Sequence, residues 1–187
     1  MSDGTRWRVE VNAQIHPPLI SEGGGEDIAR RFGLSGTLSR SIGQGGVLEG
    51  GPGEIGVILG PSGSGKSVLL SEVASALPGA IRLRTISPKT TKHPAEWVGT
   101  KRVSDALKLL SMCGLADAAA LLTPAGRLSE GEKFRLCLAR AIGESSRRGT
   151  VLLIDEFAST LDAVTAAILA RRLRRIVSRS PWVYVVL

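Results

Sequence analysis

The chain has few aromatic residues, few cysteines and no long apolar run. Aromatic residues make up 4% of its 187 residues, which argues against the base-stacking platforms that bind single-stranded nucleic acid. Its two cysteines, Cys113 and Cys137, show no metal-ligand spacing, so we expect buried thiols. No segment approaches the roughly 18 apolar residues of a membrane span, and the N-terminus does not read as a secretory signal. We therefore expect a cytoplasmic protein.

Positive charge is in excess. The formal net charge is +7 and the pI is about 10.1, a balance that attracts polyanions without identifying one. Five arginines cluster late in the chain, at Arg171, Arg172, Arg174, Arg175 and Arg179. A solvated helix face accounts for this cluster more readily than a nucleic-acid or partner-binding patch, and both interpretations stay open.

The order of apolar patterns predicts an α/β protein of one domain, residues 1–187. Alternation over residues 6–15 predicts a half-buried antiparallel or edge strand. Buried strands are predicted at 54–59, 80–84, 151–154 and 182–187, and helices at 27–32, from 68 onward, and at 103–112, 130–142 and 163–178. Residues 87–100 look irregular and 147–149 look like a surface loop. Strands that alternate with helices predict a layered fold with a mostly parallel central sheet.

Residues 60–67 read Gly-Pro-Ser-Gly-Ser-Gly-Lys-Ser, which fits a phosphate-binding loop. The glycines let successive backbone N–H groups point inward, at the positive end of the following helix. Lys66 would neutralise the β- and γ-phosphates and the Ser67 hydroxyl would ligate the accompanying Mg²⁺. A Gly/Ser-rich turn with a chance lysine is the alternative, and the strand before and helix after the loop argue against it.

A second acidic motif closes the apolar strand at 151–154. Asp155 at the strand end would hold Mg²⁺, and Glu156 would polarise the attacking water. Adjacent carboxylates at a strand end point in different directions, so one pair can serve both roles. Asp-Glu after a strand also occurs in surface turns, but together with the phosphate loop the pair predicts a nucleoside-triphosphate hydrolase.

Between these motifs, residues 127–142 resemble the signature segment of ATP-binding cassette (ABC) ATPases, usually Leu-Ser-Gly-Gly-Gln. Ser129 and Gly131 match, whereas Glu130 and Glu132 replace a glycine and the glutamine. The next residues after the carboxylates, 159–162, resemble the D-loop of that family. Ser129 and Glu132 also predict an ordinary capping box at a helix start, and both interpretations can hold together.

The resemblance implies the P-loop NTPase three-layer fold, with an N-terminal antiparallel β portion and a short helical insert at about 87–145. It implies ATP and Mg²⁺ as cofactors, Glu156 and Lys66 as catalytic residues, and Ser67 and Asp155 as metal ligands. The implied nucleotide contacts are Phe32, Gly60, Pro61, Ser62, Gly63, Ser64, Gly65, Lys66, Ser67, Val68, Ser129, Gly131, Glu132 and Asp162. Phe32 stands where the family places an aromatic that stacks on adenine, and it also fits a core aromatic at a helix end.

The resemblance further implies that two cassettes sandwich two ATP molecules, each between the phosphate loop of one chain and the signature of the other. The partner would be a second copy or a homologous cassette. The segment also looks similar to non-transporter cassettes, including those joined to acetyltransferase-like domains. A fused or associated catalytic domain and nucleic acid are therefore candidate partners, ahead of a membrane protein.

Three features depart from the family. The only glutamines, Gln14 and Gln44, do not supply a glutamine loop, and the insert is short. Neither His16 nor His93 stands where the switch histidine belongs, so we expect the chain to be truncated just before that segment. ATP binding and hydrolysis in a non-transporter role is the favoured hypothesis. The alternatives are a transporter ATP-binding subunit and a nucleotide-gated dimerisation switch with little turnover.

Overall fold

The computed structural model describes residues 6–11, 14–15, 40–41, 46–83, 88, 90–179 and 184–186. The strands are β1 Trp7–Val11, β2 Gln14–Ile15, β3 Arg40–Ser41, β4 Gly46–Gly50, β5 Ile55–Gly56, β6 Ile81–Leu83, β7 Val151–Ile154 and β8 Tyr184–Val186. The helices are α1 Lys66–Ala76, α2 Pro94–Val98, α3 Val103–Met112, α4 Ala118–Leu122, α5 Glu130–Arg148 and α6 Ala163–Arg179, with a 3₁₀ turn at Ala125–Arg127. The predicted α/β fold is confirmed.

A parallel sheet of four strands in the order β5-β8-β7-β6 forms the centre of the fold. All four residues of β7 are buried, because helices and loops cover both faces of a strand in the middle of a parallel sheet. Strand β8 lies between β5, which precedes the 60–67 loop, and β7, which precedes Asp155. The loop and the carboxylate therefore start from strands that are not direct neighbours.

Strands β1 and β4 form the antiparallel portion. Val9 and Val11 are buried and alternate with exposed polar residues, which is the pattern predicted for the N-terminal strand. Their side chains join Leu70 and Val73 of α1 in one apolar cluster. This packing sets the antiparallel pair against the helix that follows the phosphate loop.

Two helical predictions are corrected. Residues 94–98 of the segment predicted to be irregular form α2, because Pro94 suits the first helical turn and Glu96 Oε2 accepts a hydrogen bond from the His93 N–H. The predicted surface loop at 147–149 is helical up to Arg148. Gly149, with φ of 64°, ends α5 instead.

Strand β5, which precedes the 60–67 loop, is shorter than predicted. Of residues 54–59, Ile55 and Gly56 pair with β8, and Val57 and Leu59 are exposed. Among the described residues, the pairing of β5 with β8 ends at Gly56 and Val186. Strand β8 itself lies inside the predicted 182–187. The predicted helix at 27–32 lies outside the described residues.

Both cysteines are buried, as predicted. Burial raises the pKa of the Cys113 thiol to about 12, so the group stays protonated and unreactive at neutral pH. Among the described helices, none combines the length and the apolar character needed to cross a bilayer.

Candidate functional site

The 60–67 loop joins β5 to the start of α1. Gly63 and Gly65 have φ of 75° and 90°, a backbone conformation that residues with a Cβ rarely adopt. A Cβ on Gly60 would lie 2.6 Å from Ser64 Oγ, so a larger residue there would force the Ser64 side chain to move. The sequence pattern therefore has a local physical cause: the chain must curl tightly before helix α1 begins at Lys66.

Lys66 reaches back across the loop. Its Nζ donates hydrogen bonds of 2.8 Å to the carbonyl oxygens of Gly60 and Pro61. The ammonium group thus sits over the concave side of the loop, held by two backbone oxygens. Phosphate oxygens are stronger acceptors for an ammonium group than neutral carbonyls are.

Ser67 and Asp155 meet although 88 positions separate them in the sequence. The Ser67 hydroxyl donates to Asp155 Oδ1 at 3.1 Å. A hydroxyl and one carboxylate are hard oxygen donors of the kind that Mg²⁺ uses beside nucleotide phosphates, so the pair fits that ion. In the described part of the chain, no three His, Cys, Asp or Glu side chains lie close enough together to hold a metal ion. A metal ion that is held partly by nucleotide phosphates does not need such a group.

Glu156 follows Asp155 with an unusual backbone. Its φ of 56° lies in the left-handed region, which costs a non-glycine residue roughly 1 to 3 kcal/mol. Its side chain is exposed and lines the same pocket as Asp155. Two successive carboxylates therefore line one pocket.

These groups line one pocket with a volume of about 540 Å³. Its walls are Val57, Ile58, Ser62, Gly63, Gly65, Lys66, Ser67, Val68, Leu70, Ile154, Asp155, Glu156 and Phe157. The ring of Phe157 packs edge-on against Phe134, with centroids 5.9 Å apart. The predicted loop and the predicted carboxylates therefore share one cavity.

Arg82 in β6 is a site residue that the sequence analysis did not select. Its guanidinium donates to Asp155 Oδ2 at 3.2 Å and to Ser71 Oγ at 2.7 Å, while its buried Nε has no partner. Strands β6 and β7 pair in parallel, with Arg82 opposite Leu153, so the arginine lies beside the strand that ends at Asp155. The sequence signal that could have identified Arg82 is its position as a charged residue between Ile81 and Leu83 in a short predicted strand.

Arg82 places a fixed positive charge next to the proposed metal ligand. Replacing it by glutamine is expected to tighten binding of Mn²⁺, used as a probe for Mg²⁺, in the presence of ATP. Removing one unit charge a few ångströms from a divalent ion is worth about 1 to 2 kcal/mol in a water-like dielectric, a factor of about 5 to 30. Electron paramagnetic resonance of free and bound Mn²⁺ measures the change.

Arg82→Lys is the matched control, because it keeps the charge and should bind Mn²⁺ almost as the wild type does. Weaker Mn²⁺ binding in Arg82→Gln, with unchanged thermal unfolding, would contradict this expectation. That result would mean that Arg82 mainly orients Asp155.

The signature segment forms the predicted capping box at the start of α5. The Glu132 N–H donates to Ser129 Oγ at 3.3 Å, and the Ser129 N–H donates to Glu132 Oε2 at 2.9 Å. Glu130 pairs with Lys133 at 2.7 Å. The sequence Ser-Glu-Gly-Glu therefore has a local structural role in starting the helix.

Gly131 packs against the segment that resembles a D-loop. A Cβ at Gly131 would lie 2.7 Å from Leu161 Cδ2, so the two segments adjoin at a position that favours glycine. Asp162 Oδ1 accepts a hydrogen bond of 2.9 Å from the Thr165 N–H at the start of α6, and hydrogen bonds from Thr165 lower the pKa of Asp162. Ser129 and Gly131 are not among the residues that line the loop pocket of their own chain.

A second groove of about 370 Å³ lies on the other side of the loop, toward the antiparallel strands. Aliphatic side chains dominate it, among them Val11, Val47, Leu48 and Leu59. Phe32, the predicted adenine-stacking residue, lies outside the described residues.

A curled glycine loop with its lysine, next to strand-end carboxylates on a parallel sheet, defines the class of P-loop nucleoside triphosphatases. The chain belongs to the AAA ATPase domain family, whose model matches residues 44–186. No functionally curated protein matches the sequence. The matched family is one of ATPases, so the ATP-binding part of the prediction is supported at the level of the family.

Two solved structures that share this fold are described as ABC ATP-binding proteins. A protein from Pyrococcus furiosus, provisionally assigned as an ABC transporter ATP-binding protein, gives a TM-score of 0.60 at 15% identity, covering 81% of this chain and 82% of that one. A dimeric ATP-binding cassette in a post-hydrolysis state, bound to ADP and Pi, gives a TM-score of 0.67 at 18% identity, and the match covers 96% of this chain and 87% of that one. At such identities the likeness establishes the fold, and the resemblance to ABC ATPases is confirmed at that level.

Proposed function

We propose that this chain binds ATP with Mg²⁺ at residues 60–67 and hydrolyses it as a nucleotide-sandwich dimer, in a role outside membrane transport. The observation that carries the proposal is the convergence of Lys66, Ser67, Asp155 and Glu156 on one pocket of about 540 Å³. That volume lies within the usual range for small-molecule sites, about 300 to 1,000 Å³.

Phosphate binding would use the backbone of the loop. Backbone N–H groups of the loop and the start of α1 favour an anion, and the Lys66 ammonium would exchange its two carbonyl partners for phosphate oxygens. Ser67 Oγ and the Asp155 carboxylate, 3.1 Å apart, would hold Mg²⁺. When bound, this ion supplies charge neutralisation for the phosphates.

Glu156 would accept a proton from the attacking water. Its carboxylate is exposed to the pocket and does not share the Arg82 ion pair that Asp155 makes. Asp155 already pairs with a positive group, the Arg82 guanidinium, whereas Glu156 is available as a base.

The nucleotide base would rest against the aliphatic groove beside the loop, where Val47 and Leu59 are 47% and 87% exposed. Burying such side chains under a flat base removes apolar surface from water. Stacking of Phe32 on adenine stays a prediction.

The dimer would complete the site. Ser129, Gly131 and Glu132 at the start of α5, with Asp162 nearby, lie outside the pocket of their own chain, so a second chain would have to bring them to the γ-phosphate. The positive end of a helix suits that phosphate. Dimerisation of the similar cassette bound to ADP and Pi supports this assignment by analogy of fold.

The preference for a non-transporter role follows from the short helical insert and the missing glutamine loop. A single domain with a reduced helical subdomain at about 87–145, a cytoplasmic location and a fused or associated catalytic domain stay predictions. A transporter subunit remains the second candidate because similar folds include a protein assigned to transport.

The test is calorimetric titration of the purified chain with ATP, ADP and AMP in the presence of Mg²⁺, followed by sedimentation velocity. We expect ATP and ADP to bind, AMP to bind at least tenfold more weakly because it lacks the β-phosphate, and ATP but not ADP to raise the dimer fraction. A chain that binds none of the three would overturn the proposal.

Two other results would select an alternative. ATP-dependent dimerisation without phosphate release would identify a nucleotide-gated switch. Co-purification with a membrane protein, abolished by substitutions on the exposed side of α3, would favour the transporter subunit.

A further inference from the structure

Helix α6 has one apolar face and one cationic face. Leu169, Leu173, Ile176 and Val177 are buried in the main core. All five arginines of the helix are exposed, namely Arg171, Arg172, Arg174, Arg175 and Arg179, and we call them the arginine face. The helix contains no acidic residue, so its own sequence supplies no partner for this charge.

The surroundings do not neutralise the arginine face either. Within the described ranges, the ion pairs involve other residues, and Arg172 donates to a backbone carbonyl, that of Ser111, at 3.0 Å. Gly53 approaches the end of the helix, but the carboxylate of its neighbour Glu54 pairs with Arg6 at 2.8 Å. Asp162 at the other end caps the helix. Five positive charges therefore stay uncompensated by described side chains.

The spacing of the arginines suits a repeating polyanion. Arg171, Arg175 and Arg179 follow one another at intervals of four residues, about 6 Å per step and about 12 Å in all. A nucleic-acid duplex presents about one phosphate charge per 1.7 Å of its axis, or about seven over that length. Residues four apart advance only about 40° around the helix axis per step, so the three arginines stay on one side of the helix. They can face several of these phosphates at once, and each guanidinium can bind a phosphate in a bidentate manner.

Other acidic partners fit less well. Insertion into an anionic membrane needs an apolar helix face at the surface, but four of the six large apolar residues of α6 lie in the core, and of the six only Val164 and Ile168 are exposed. Binding of single strands relies on aromatic stacking, for which an aromatic content of 4% is poor. An acidic protein lacks the regular phosphate spacing.

We propose that the arginine face is a binding surface for double-stranded nucleic acid, which it contacts through the phosphates without reading base sequence. The inference goes beyond ATP chemistry and does not depend on it. Three to four simultaneous phosphate contacts predict a slope of log affinity against log salt of about −2.7 to −3.6. Affinity should then fall about 40- to 150-fold between 50 and 200 mM salt.

The experiment is fluorescence anisotropy with a labelled 20-base-pair DNA duplex, titrated with the full chain without nucleotide at several salt concentrations. The variant replaces Arg171, Arg175 and Arg179 by glutamine, which keeps helix propensity. We expect its affinity at 100 mM salt to fall more than tenfold and its salt slope to shrink by about 2 to 3. Two duplexes of unrelated sequence should bind within about threefold of each other.

The control variant replaces Arg8, Lys92 and Lys101 by glutamine, an equal loss of charge at exposed positions off α6. We expect it to keep the salt slope of the wild type. Equal losses of duplex affinity in the two variants would overturn the proposal, because net charge alone would then explain binding.

Two further readouts keep the result decisive. Thermal unfolding and circular dichroism show whether the α6 variant is folded; if it is not, single substitutions of Arg175 and Arg179 replace it. Unchanged duplex binding, with loss of binding to phosphatidylserine vesicles or to polyglutamate, would assign the arginine face to a membrane or an acidic protein and would also overturn the proposal.

Discussion

Replacing Glu156 by glutamine is expected to lower phosphate release from ATP by at least about 100-fold while ATP still binds. A positioned general base contributes about 10² to 10⁴ to the rate, and an amide cannot accept the proton. Glutamine matches glutamate in size, so the pocket beside Asp155 keeps its shape. The measurement is steady-state phosphate release together with calorimetric ATP binding.

Glu10→Gln is the matched control, since it removes an exposed carboxylate on β1, away from the pocket lining. Its turnover should equal that of the wild type. Retention of full turnover by Glu156→Gln would show that another group activates the water. A wild type that binds ATP but releases no phosphate would favour the switch interpretation, and the substitution would then leave ATP-dependent dimerisation unchanged.

Loss of the Lys66 ammonium group is expected to weaken ATP binding about 10- to 150-fold. A hydrogen bond to a charged group is worth about 1.5 to 3 kcal/mol, and Lys66→Ala removes the group that spans the loop. Its two bonds to the Gly60 and Pro61 carbonyls, both 2.8 Å, also help to hold the loop without nucleotide. The measurement is calorimetric titration of Lys66→Ala with ATP.

Lys92→Ala serves as the comparison, because Lys92 is an exposed lysine outside the pocket lining. ATP binding should be unchanged in that variant. Unchanged thermal unfolding of Lys66→Ala would show that the core is intact, so that a loss of ATP affinity can be assigned to the loop. Wild-type affinity in Lys66→Ala would refute the assignment of residues 60–67 as the phosphate site.

Features set by neighbouring residues could be predicted well. The glycine loop, the strand at 151–154 and the helix at 103–112 depend on local backbone preference and apolar periodicity. The capping box of Ser129 and Glu132 also follows from spacing alone. Helix α2 was missed because a helix of five residues that begins at a proline carries too little apolar periodicity to be recognised.

The parts of the candidate site were predicted, and the resemblance implied that Ser67 and Asp155 hold one metal ion, but the contact of Arg82 was not predicted. The ion pair between Arg82 and Asp155 joins residues 73 positions apart, and it depends on β6 lying beside β7. Sequence patterns do not specify which strands become neighbours, because apolar strands in a parallel sheet look alike. For the same reason the intervening position of β8 between β5 and β7 was not foreseen.

The sequence by itself determined the chemistry of the loop, the strand-end carboxylates and the amphipathic character of α6, since each depends on residues close together along the chain. Only the tertiary structure decided that Arg82 pairs with Asp155 and that β8 lies between β5 and β7. These contacts arise from strand order and helix packing, which are fixed by burial of the whole core and not by any local pattern.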